Sequence, residues 1–167
     1  IEIEEGRASI ASDLCIYCGH CVDVCSTRAK KVRDDLDRAR DLLGAKRRVL
    51  VSLSPSYVGE FAGVESPFLI AAIKKLGFAA VSETALGAQQ VSARVAEQLQ
   101  QSNAKLTISS ACPAAVDFVQ KYLPEQADSI TPILSPLLSH CRLLRKIYGD
   151  DVGIVFIGPC AAKKREA

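Results

Sequence analysis

Four cysteines within eleven residues constrain this chain more than any other feature of its sequence. Cys15, Cys18, Cys21 and Cys25 are spaced C-x2-C-x2-C-x3-C. With this spacing, one loop holds three irons of a [4Fe–4S] cube and sends its fourth thiolate to another cluster. Gly19, between the second and third cysteines, permits the tight backbone turn that the loop requires. The motif therefore predicts an iron–sulfur cluster.

Zinc is the alternative metal for such a loop. Structural zinc normally takes two cysteine knuckles, or one knuckle with paired histidines. The only histidines in the sequence are His20 and His140, and no second cysteine knuckle follows the loop. The pattern favours the cluster over zinc and over four structural thiols. We expect both histidines to lie at the surface or behind the ligands rather than to bind metal.

Composition excludes several other classes of protein. The 167 residues allow one compact domain with a small appendage, and a net charge of +2 without a basic, aromatic stripe argues against nucleic acid. No apolar run approaches the roughly 20 residues that cross a bilayer, and there is no signal peptide. Cysteines in a cluster pattern indicate a reducing compartment, so we expect a soluble, cytoplasmic protein.

The absence of methionine, even at position 1, suggests a processed chain or part of a longer polypeptide.

The first third of the chain predicts a small α+β module and a linker. Residues 1–10 alternate like a hairpin with Glu5 and Gly6 in its turn, which is typical of a ferredoxin-like module. Basic residues after the cysteines either place positive charge near the cluster or form a solvated face. Residues 34–43 predict a helix that Gly44 ends. We assign residues 1–33 to a partial ferredoxin-like [4Fe–4S] module and 34–46 to a linker helix.

From residue 47 onward, predicted strands alternate with predicted helices. The strands are expected at 48–53, 78–82, 105–109 and 152–157, and the helices at 66–76, 88–101, 113–122 and 135–148. This alternation predicts the α/β class, with a mainly parallel sheet flanked by helices. In such sheets, ligands bind beyond the carboxyl ends of the strands.

Two isolated cysteines follow predicted strands. Cys112 comes after the third strand and Cys160 after the fourth, each beside a proline. Pro113 at the first helical position would leave Cys112 near a helix N-terminus, which favours the thiolate. Both could instead be small buried residues, but two on one rim favour a shared ligand site. Cys141 shares a helical stripe with Leu137 and Leu144, which indicates core packing.

Three short segments resemble motifs of the [FeFe]-hydrogenase catalytic domain. The segment S-S-A-C-P at 109–113 resembles T-S-C-C-P, and S-P-S at 54–56 resembles the A-P-S turn. The segment at 158–166 resembles M-P-C-x-x-K-x-x-E in Pro159, Cys160, Lys163 and Glu166. The cysteine loop fits the ferredoxin domain that such proteins carry. The resemblance covers essentially the whole chain, and residues 47–167 would be the N-terminal part of the catalytic domain, half of the complete hydrogenase domain.

The resemblance implies an H-cluster, a [4Fe–4S] cube joined through cysteine sulfur to a di-iron unit with carbon monoxide, cyanide and a bridging dithiolate. By the family pattern, Cys112 and Cys160 would ligate the cube. Lys163 and Ser56 would donate hydrogen bonds to the cyanides and so carry the catalytic roles. Pro55 and Glu166 belong to the same cofactor-binding motifs.

One departure from the family pattern concerns proton transfer. Ala111 stands where the catalytic family has the cysteine that passes protons to the dithiolate. A methyl group cannot act as an acid or base, and losing such a group typically lowers the rate by ~10²–10⁴-fold. Alanine here, after a ferredoxin domain, resembles the sensory group of the family. The resemblance thus implies hydrogen or redox sensing with weak turnover, coupled to signalling modules such as PAS, kinase or phosphatase domains.

The second departure concerns missing ligands. The family's third motif, with the remaining two cysteines of the H-cluster cube, would lie beyond Ala167. In a two-cluster ferredoxin, Cys25 would ligate a second cluster whose other three thiolates come from another C-x2-C-x2-C run, and that run is absent. The resemblance implies a larger protein with the remainder of the hydrogenase domain and an electron-transfer protein or subunit as partner. The alternative is a non-catalytic electron-transfer or cluster-handling protein with this fold, which would bind a cube but no di-iron unit.

Overall fold

The computed structural model of this chain describes residues 1–4, 6–101 and 105–166. The strands in this part are Glu2–Glu4 (β1), Arg7–Ser9 (β2), Val49–Leu53 (β3), Ala80–Glu83 (β4) and Gly153–Ile157 (β5). The α-helices are His20–Asp23 (α1), Leu36–Ala45 (α2), Tyr57–Glu60 (α3), Ser66–Lys75 (α4), Ala85–Gln101 (α5), Pro113–Tyr122 (α6) and Pro136–Tyr148 (α7). Two 3₁₀ helices span Pro124–Ser129 and Ala161–Arg165.

The N-terminal hairpin predicted from the alternation of residues 1–10 is confirmed. β1 and β2 pair in antiparallel fashion, with Ile3 opposite Ala8. Gly6 adopts a positive φ of 74° near the turn. Glu5, which the sequence also placed in this turn, lies outside the described residues.

A parallel sheet organises the larger part of the chain. Its strand order is β4-β3-β5, and both neighbours run parallel to β3. Every residue of β3 is buried, which explains its nearly continuous apolar sequence V-L-V-S-L. Helices cover both faces of this sheet, so the predicted α/β class is confirmed.

The two faces of β3 build two apolar clusters. Val49, Val51 and Leu53 pack with Ile73 of α4 on one face, while Leu50 packs with Leu144 of α7 on the other. This division follows from the alternation of side chains along a strand. The sheet edge that carries the carboxyl ends of the strands is thereby held between two covered faces.

The predicted strand at 105–109 is wrong. The structure has only an isolated parallel bridge there, between Ile108 and Ile130. The Ile108 N–H donates to the Ser129 carbonyl at 2.8 Å, and the Thr131 N–H donates to the Ile108 carbonyl at 2.8 Å. The next backbone donor, the Ser110 N–H, bonds to the Thr131 hydroxyl at 3.2 Å rather than to a carbonyl of the partner segment, so the ladder does not continue.

Other element boundaries differ by a few residues from those predicted. α6 spans the predicted range, and Ser135, expected inside α7, is its N-cap and accepts a hydrogen bond from the Leu138 N–H at 3.3 Å. Gly44 does not end the linker helix, because α2 continues through it to Ala45. Leu42 and Leu43 of its last turns pack on the sheet, and this packing outweighs the poor helix propensity of glycine. Across the described ranges, no helix is both long enough and apolar enough to span a bilayer.

Candidate metal centres

Three cysteines of the loop line one cavity, which we call the thiol cavity. Its volume is about 600 Å³, and Cys15, Cys18 and Cys21 lie on its wall. The backbone turns sharply between them, since Tyr17 and Gly19 have positive φ angles of 54° and 85°. The predicted tight turn at Gly19 is therefore present, and it brings three thiols to one space.

The fourth thiol, Cys25, has surroundings of its own. It is not among the described residues that line the thiol cavity. Its sulfur accepts a hydrogen bond from the Ala29 N–H at 3.3 Å and lies 3.4 Å from the Thr27 hydroxyl. These contacts, that of Thr27 first, lower the pKa of Cys25 to about 7. Its thiolate, the form that binds metal, is thus stabilised at neutral pH.

The donors around the thiol cavity fit an iron–sulfur cluster. Thiolates are the ligands that select such clusters, and the spacing is that of a [4Fe–4S] loop. Within residues 1–4, 6–101 and 105–166, no three Cys, His, Asp or Glu side chains stand close enough together to hold one metal ion. Metal sites are commonly completed by the metal itself, as ligands close on it during binding. The cavity thus has the chemistry and the room for a cube held by Cys15, Cys18 and Cys21.

Cationic side chains also line the thiol cavity, and carboxylates pair with several of them. Arg33 Nε and Lys164 Nζ lie 2.7 Å and 2.9 Å from carboxylate oxygens of Asp35. Hydrogen bonds from Lys164 first, then from Arg33, hold the pKa of Asp35 well below its usual range. Arg165 forms an ion pair with Asp117. Lys31 and Arg33, which belong to the basic segment after the cysteines, also line the cavity.

Helix α6 holds the cysteine loop from outside. Lys121 Nζ donates to the backbone carbonyls of Ser12 at 3.0 Å and Cys15 at 2.8 Å. The Tyr122 hydroxyl donates to the Leu14 carbonyl at 2.6 Å. The guanidinium carbon of Arg165 lies 4.2 Å from the centre of the Tyr17 ring. Sequence reasoning missed these contacts, because residues so distant along the chain carry no mutual signal.

A second group of residues lies at the carboxyl edge of the sheet. The turn after β3 and the segment after β5 touch there, since the Ser54 N–H donates to the Ile157 carbonyl at 2.8 Å. A Cβ on Gly158 would lie 2.7 Å from the Ser54 Cβ, so only glycine permits this approach. The Ser54 and Ser56 hydroxyls are 2.8 Å apart, and Pro55 and Ser56 are exposed.

Lys163 joins the two segments that carry the isolated cysteines. Cys112 is the N-cap of α6, and Cys160 immediately precedes the second 3₁₀ helix; both are exposed. Lys163 Nζ lies 3.4 Å from the Ala111 carbonyl oxygen, to which it donates. It also lies 3.3 Å from a carboxylate oxygen of Glu166, and both side chains are mostly buried. The expectation that both cysteines follow sheet strands is wrong for Cys112, yet the two segments are neighbours.

Buried Thr131 positions the backbone before Cys112. Its hydroxyl accepts a hydrogen bond from the Ser110 N–H at 3.2 Å and lies 3.0 Å from the Ser110 hydroxyl. The Ser110 hydroxyl also donates to the Ile133 carbonyl. Side-chain hydrogen bonds from Thr131, beside the isolated bridge, therefore hold the segment before Cys112, where the predicted strand does not form.

His140 is fully buried, so the first of the two positions expected for it, at the surface, is wrong. Its Nδ1 is 2.8 Å from the Ser52 hydroxyl, and its Nε2 is 2.9 Å from the Ser82 hydroxyl. Burial lowers the pKa of His140. The available signal was Ser52, a lone polar residue within the apolar strand β3. Cys141, the next residue, is half-buried, and burial raises the pKa of its thiol.

The fold and the site together define a class of protein: an iron–sulfur protein that joins a cysteine-loop module to a parallel α/β unit with two thiols on neighbouring segments. The chain belongs to a known family of this class. Residues 47–167 match the family of the iron only hydrogenase large subunit, C-terminal domain, and residues 8–31 match the 4Fe-4S binding domain. The resemblance to [FeFe]-hydrogenases is thus confirmed.

Individual relatives agree with this family. The chain is 28% identical over 184 residues to the NADP-reducing hydrogenase subunit HndD of Solidesulfovibrio fructosivorans, covering 95% of this chain and 32% of the relative. It superposes with a TM-score of 0.62 and 21% identity on a solved [FeFe]-hydrogenase from work on oxygen damage to the H cluster, covering 81% of this chain and 41% of that one. The latter likeness supports the fold alone. The chain thus spans about a third of the length of its curated relative.

Proposed function

We propose that this chain is part of a hydrogen-responsive iron–sulfur protein, with a [4Fe–4S] cluster in the thiol cavity and an H-cluster at the sheet edge. The supporting observation is the contact between Lys163 Nζ and the Ala111 carbonyl, which brings the two cysteine-bearing segments together. Residues 1–33 would form the cluster module, 34–46 the linker, and 47–167 part of the catalytic domain.

The residues at the sheet edge fit the roles that the family pattern assigns to them. When bound, the H-cluster supplies the site at which two protons and two electrons interconvert reversibly with dihydrogen. Cys112 and Cys160 would hold its cube. Lys163 would donate to an anionic cyanide, and Glu166, 3.3 Å from its Nζ, restricts where that ammonium can point. Ser56 would donate from the opposite turn, which Pro55 stiffens.

Ala111 favours sensing over rapid turnover. Its methyl group holds no proton to transfer, while its carbonyl is occupied by Lys163. A protein that binds hydrogen but turns over slowly suits a sensor, because the bound state lasts long enough to be transmitted. We therefore propose signalling modules, such as PAS, kinase or phosphatase domains, and an electron-transfer protein or subunit as partners.

A second candidate is a cluster-handling or electron-transfer protein that binds no di-iron unit. Ser56, Cys112 and Cys160 are exposed in this chain, whereas orienting hydrogen bonds to a cyanide are strongest in a dry pocket. The loop cluster and the cube ligands would be retained, but Lys163 would have no anionic ligand to bind.

Infrared spectroscopy separates the two candidates. We would purify the full-length natural protein anaerobically, mature it with the di-iron cofactor, and record the region between the amide and C–H bands, where metal-bound carbon monoxide and cyanide absorb. Bands that shift under hydrogen support the sensor. A blank spectrum with iron and sulfide present contradicts it and leaves the electron carrier.

A pair of lysine variants refines this test. Lys163→Ala removes the ammonium beside Ala111 and should weaken or shift the cyanide bands. Lys164→Ala removes the neighbouring charge, which instead faces Asp35, and should leave those bands in place. Equal effects of the two variants would contradict the cyanide role of Lys163.

A further inference from the structure

Lys121 of α6 is anchored on the backbone of the cysteine loop. Its Nζ donates to the backbone carbonyl of Cys15 at 2.8 Å. Because the thiol of Cys15 is a proposed cluster ligand, the ammonium is bound to the backbone of a ligand residue. A second hydrogen bond, to the Ser12 carbonyl at 3.0 Å, fixes it from the other side. Nζ is also 5.7 Å from the centre of the Tyr17 ring, within the range of cation–π attraction. Three contacts thus hold one positive charge against this loop.

This charge differs from three other cations of the region. Arg33 and Lys164 face Asp35, and Arg165 faces Asp117, so each has a carboxylate that offsets its field. The contacts of Lys121 described above go to neutral carbonyls and to an aromatic ring. Neutral acceptors fix the position of an ammonium without cancelling its charge.

A fixed cation beside a cluster affects the two oxidation states unequally. A [4Fe–4S] cluster that accepts one electron gains one negative charge, and charge and hydrogen bonding around a cluster set its reduction potential. A nearby positive charge stabilises the more negative, reduced state. We infer that Lys121 raises the reduction potential of the cluster in the thiol cavity. It thereby sets the ambient potential at which the module takes up an electron, an inference that rests on the proposed presence of that cluster.

Two substitutions separate the charge of Lys121 from its hydrogen bonds. Lys121→Gln keeps a donor for the Cys15 carbonyl but removes the charge, while Lys121→Arg keeps both. We would reconstitute the full chain anaerobically, poise it with mediator dyes that deliver one electron, and count reduced clusters by electron paramagnetic resonance. At a fixed potential, Lys121→Gln should lower the ratio of reduced to oxidised cluster about tenfold, which is about 59 mV for a one-electron couple. Lys121→Arg should change the ratio less than about twofold, well inside that tenfold step.

The remaining measurements distinguish this inference from its alternatives. Lys75→Gln removes the same charge from an exposed position of α4, and the ratio should not change. An unchanged ratio in Lys121→Gln, or an equal fall in Lys121→Arg, would overturn the role of the charge and indicate loop geometry instead. Iron and sulfide counts, with visible absorption, report the cluster itself. Their absence from the unmutated chain would refute the proposed cluster, and with it this inference.

Discussion

Gly19 and Ala161 meet across the boundary between the cysteine loop and the segment after β5. A Cβ placed on Gly19 would lie 3.1 Å from the Cβ of Ala161, closer than an ordinary van der Waals contact. Gly19 separates two cysteines of the thiol cavity, and Ala161 directly follows Cys160. The two candidate metal centres are therefore joined by direct packing, which would also provide a short path for an electron.

Gly19→Ala should destabilise this junction for two reasons. The residue would keep a positive φ of 85°, which costs a side chain about 1–2 kcal/mol, and its methyl group would press on Ala161. We expect lower iron content per chain and a lower temperature for loss of cluster absorption. Gly6→Ala is the matched control, since its φ is 74° and nothing lies within 4 Å of the added Cβ. Equal losses in both variants would show that the contact with Ala161 contributes nothing.

Gly87→Ala should be the most damaging glycine substitution in the helices. Its Cβ would lie 2.1 Å from the Pro136 carbonyl oxygen and 2.8 Å from the Cβ of His140, where α5 packs on α7. Backbone atoms cannot move aside easily, so we expect a loss of about 3 kcal/mol or more in the free energy of unfolding, measured by urea denaturation. Gly44→Ala in α2 meets no atom within 4 Å and should instead add roughly 0.5–1 kcal/mol. A mild effect at Gly87 would contradict the close approach of the two helices.

His140→Leu should destabilise the sheet from within. It would leave the Ser82 hydroxyl without its imidazole partner, while the Ser52 hydroxyl would keep its contact with the Thr84 hydroxyl at 2.8 Å. An unpaired polar group in the interior costs about 1–3 kcal/mol, so we expect a loss of about that size in urea denaturation. The double variant that also carries Ser82→Ala removes the orphaned hydroxyl and should recover part of the loss. No recovery would mean that packing, not hydrogen bonding, explains the role of His140.

Burial of His140 also predicts a pH dependence of stability. Its pKa in the folded chain is lowered, so the unfolded chain binds a proton at a higher pH than the folded chain does. The stability that depends on neutral His140 should therefore be complete above about pH 6.5, the ordinary histidine pKa, and should fall as the pH decreases below it. The free energy of unfolding, measured from pH 8 down to about 5, should show this slope, and His140→Gln should lose it. If the slope persists in His140→Gln, another titrating group causes the pH dependence.

Ala111→Cys should raise hydrogen turnover in the matured, full-length protein. The new thiol would restore a proton-transferring group beside the segment of Cys112, and such groups contribute ~10²–10⁴-fold to rate. The measurement is hydrogen evolution from a reduced viologen dye, normalised to H-cluster content by infrared bands. Ala115→Cys adds an exposed thiol one turn further along α6 and should leave the rate unchanged. Equal rates in both variants and the unmutated protein would remove the proposed basis for sensing.

Short-range patterns predicted much of this molecule. The hairpin, the alternation from residue 47 onward and the turn at Gly19 depend on neighbours in sequence, and each is present in the structure. The strand expected at 105–109 is reduced to an isolated bridge, because the next backbone donor, the Ser110 N–H, bonds to the side chain of Thr131 instead of to a backbone carbonyl. His140 was misplaced because its hydrogen-bond partners lie 88 and 58 residues away.

The sequence by itself determined the chemistry: a loop of four thiols, two isolated thiols beside prolines, and an alanine where the family has a proton-transferring cysteine. These are properties of residue type and local spacing, which a chain carries before it folds. The tertiary structure decided which of them are neighbours. Lys163 reaches the Ala111 carbonyl, and Lys121 the Cys15 carbonyl, only because packing of the sheet and helices brings segments 52 and 106 residues apart into contact.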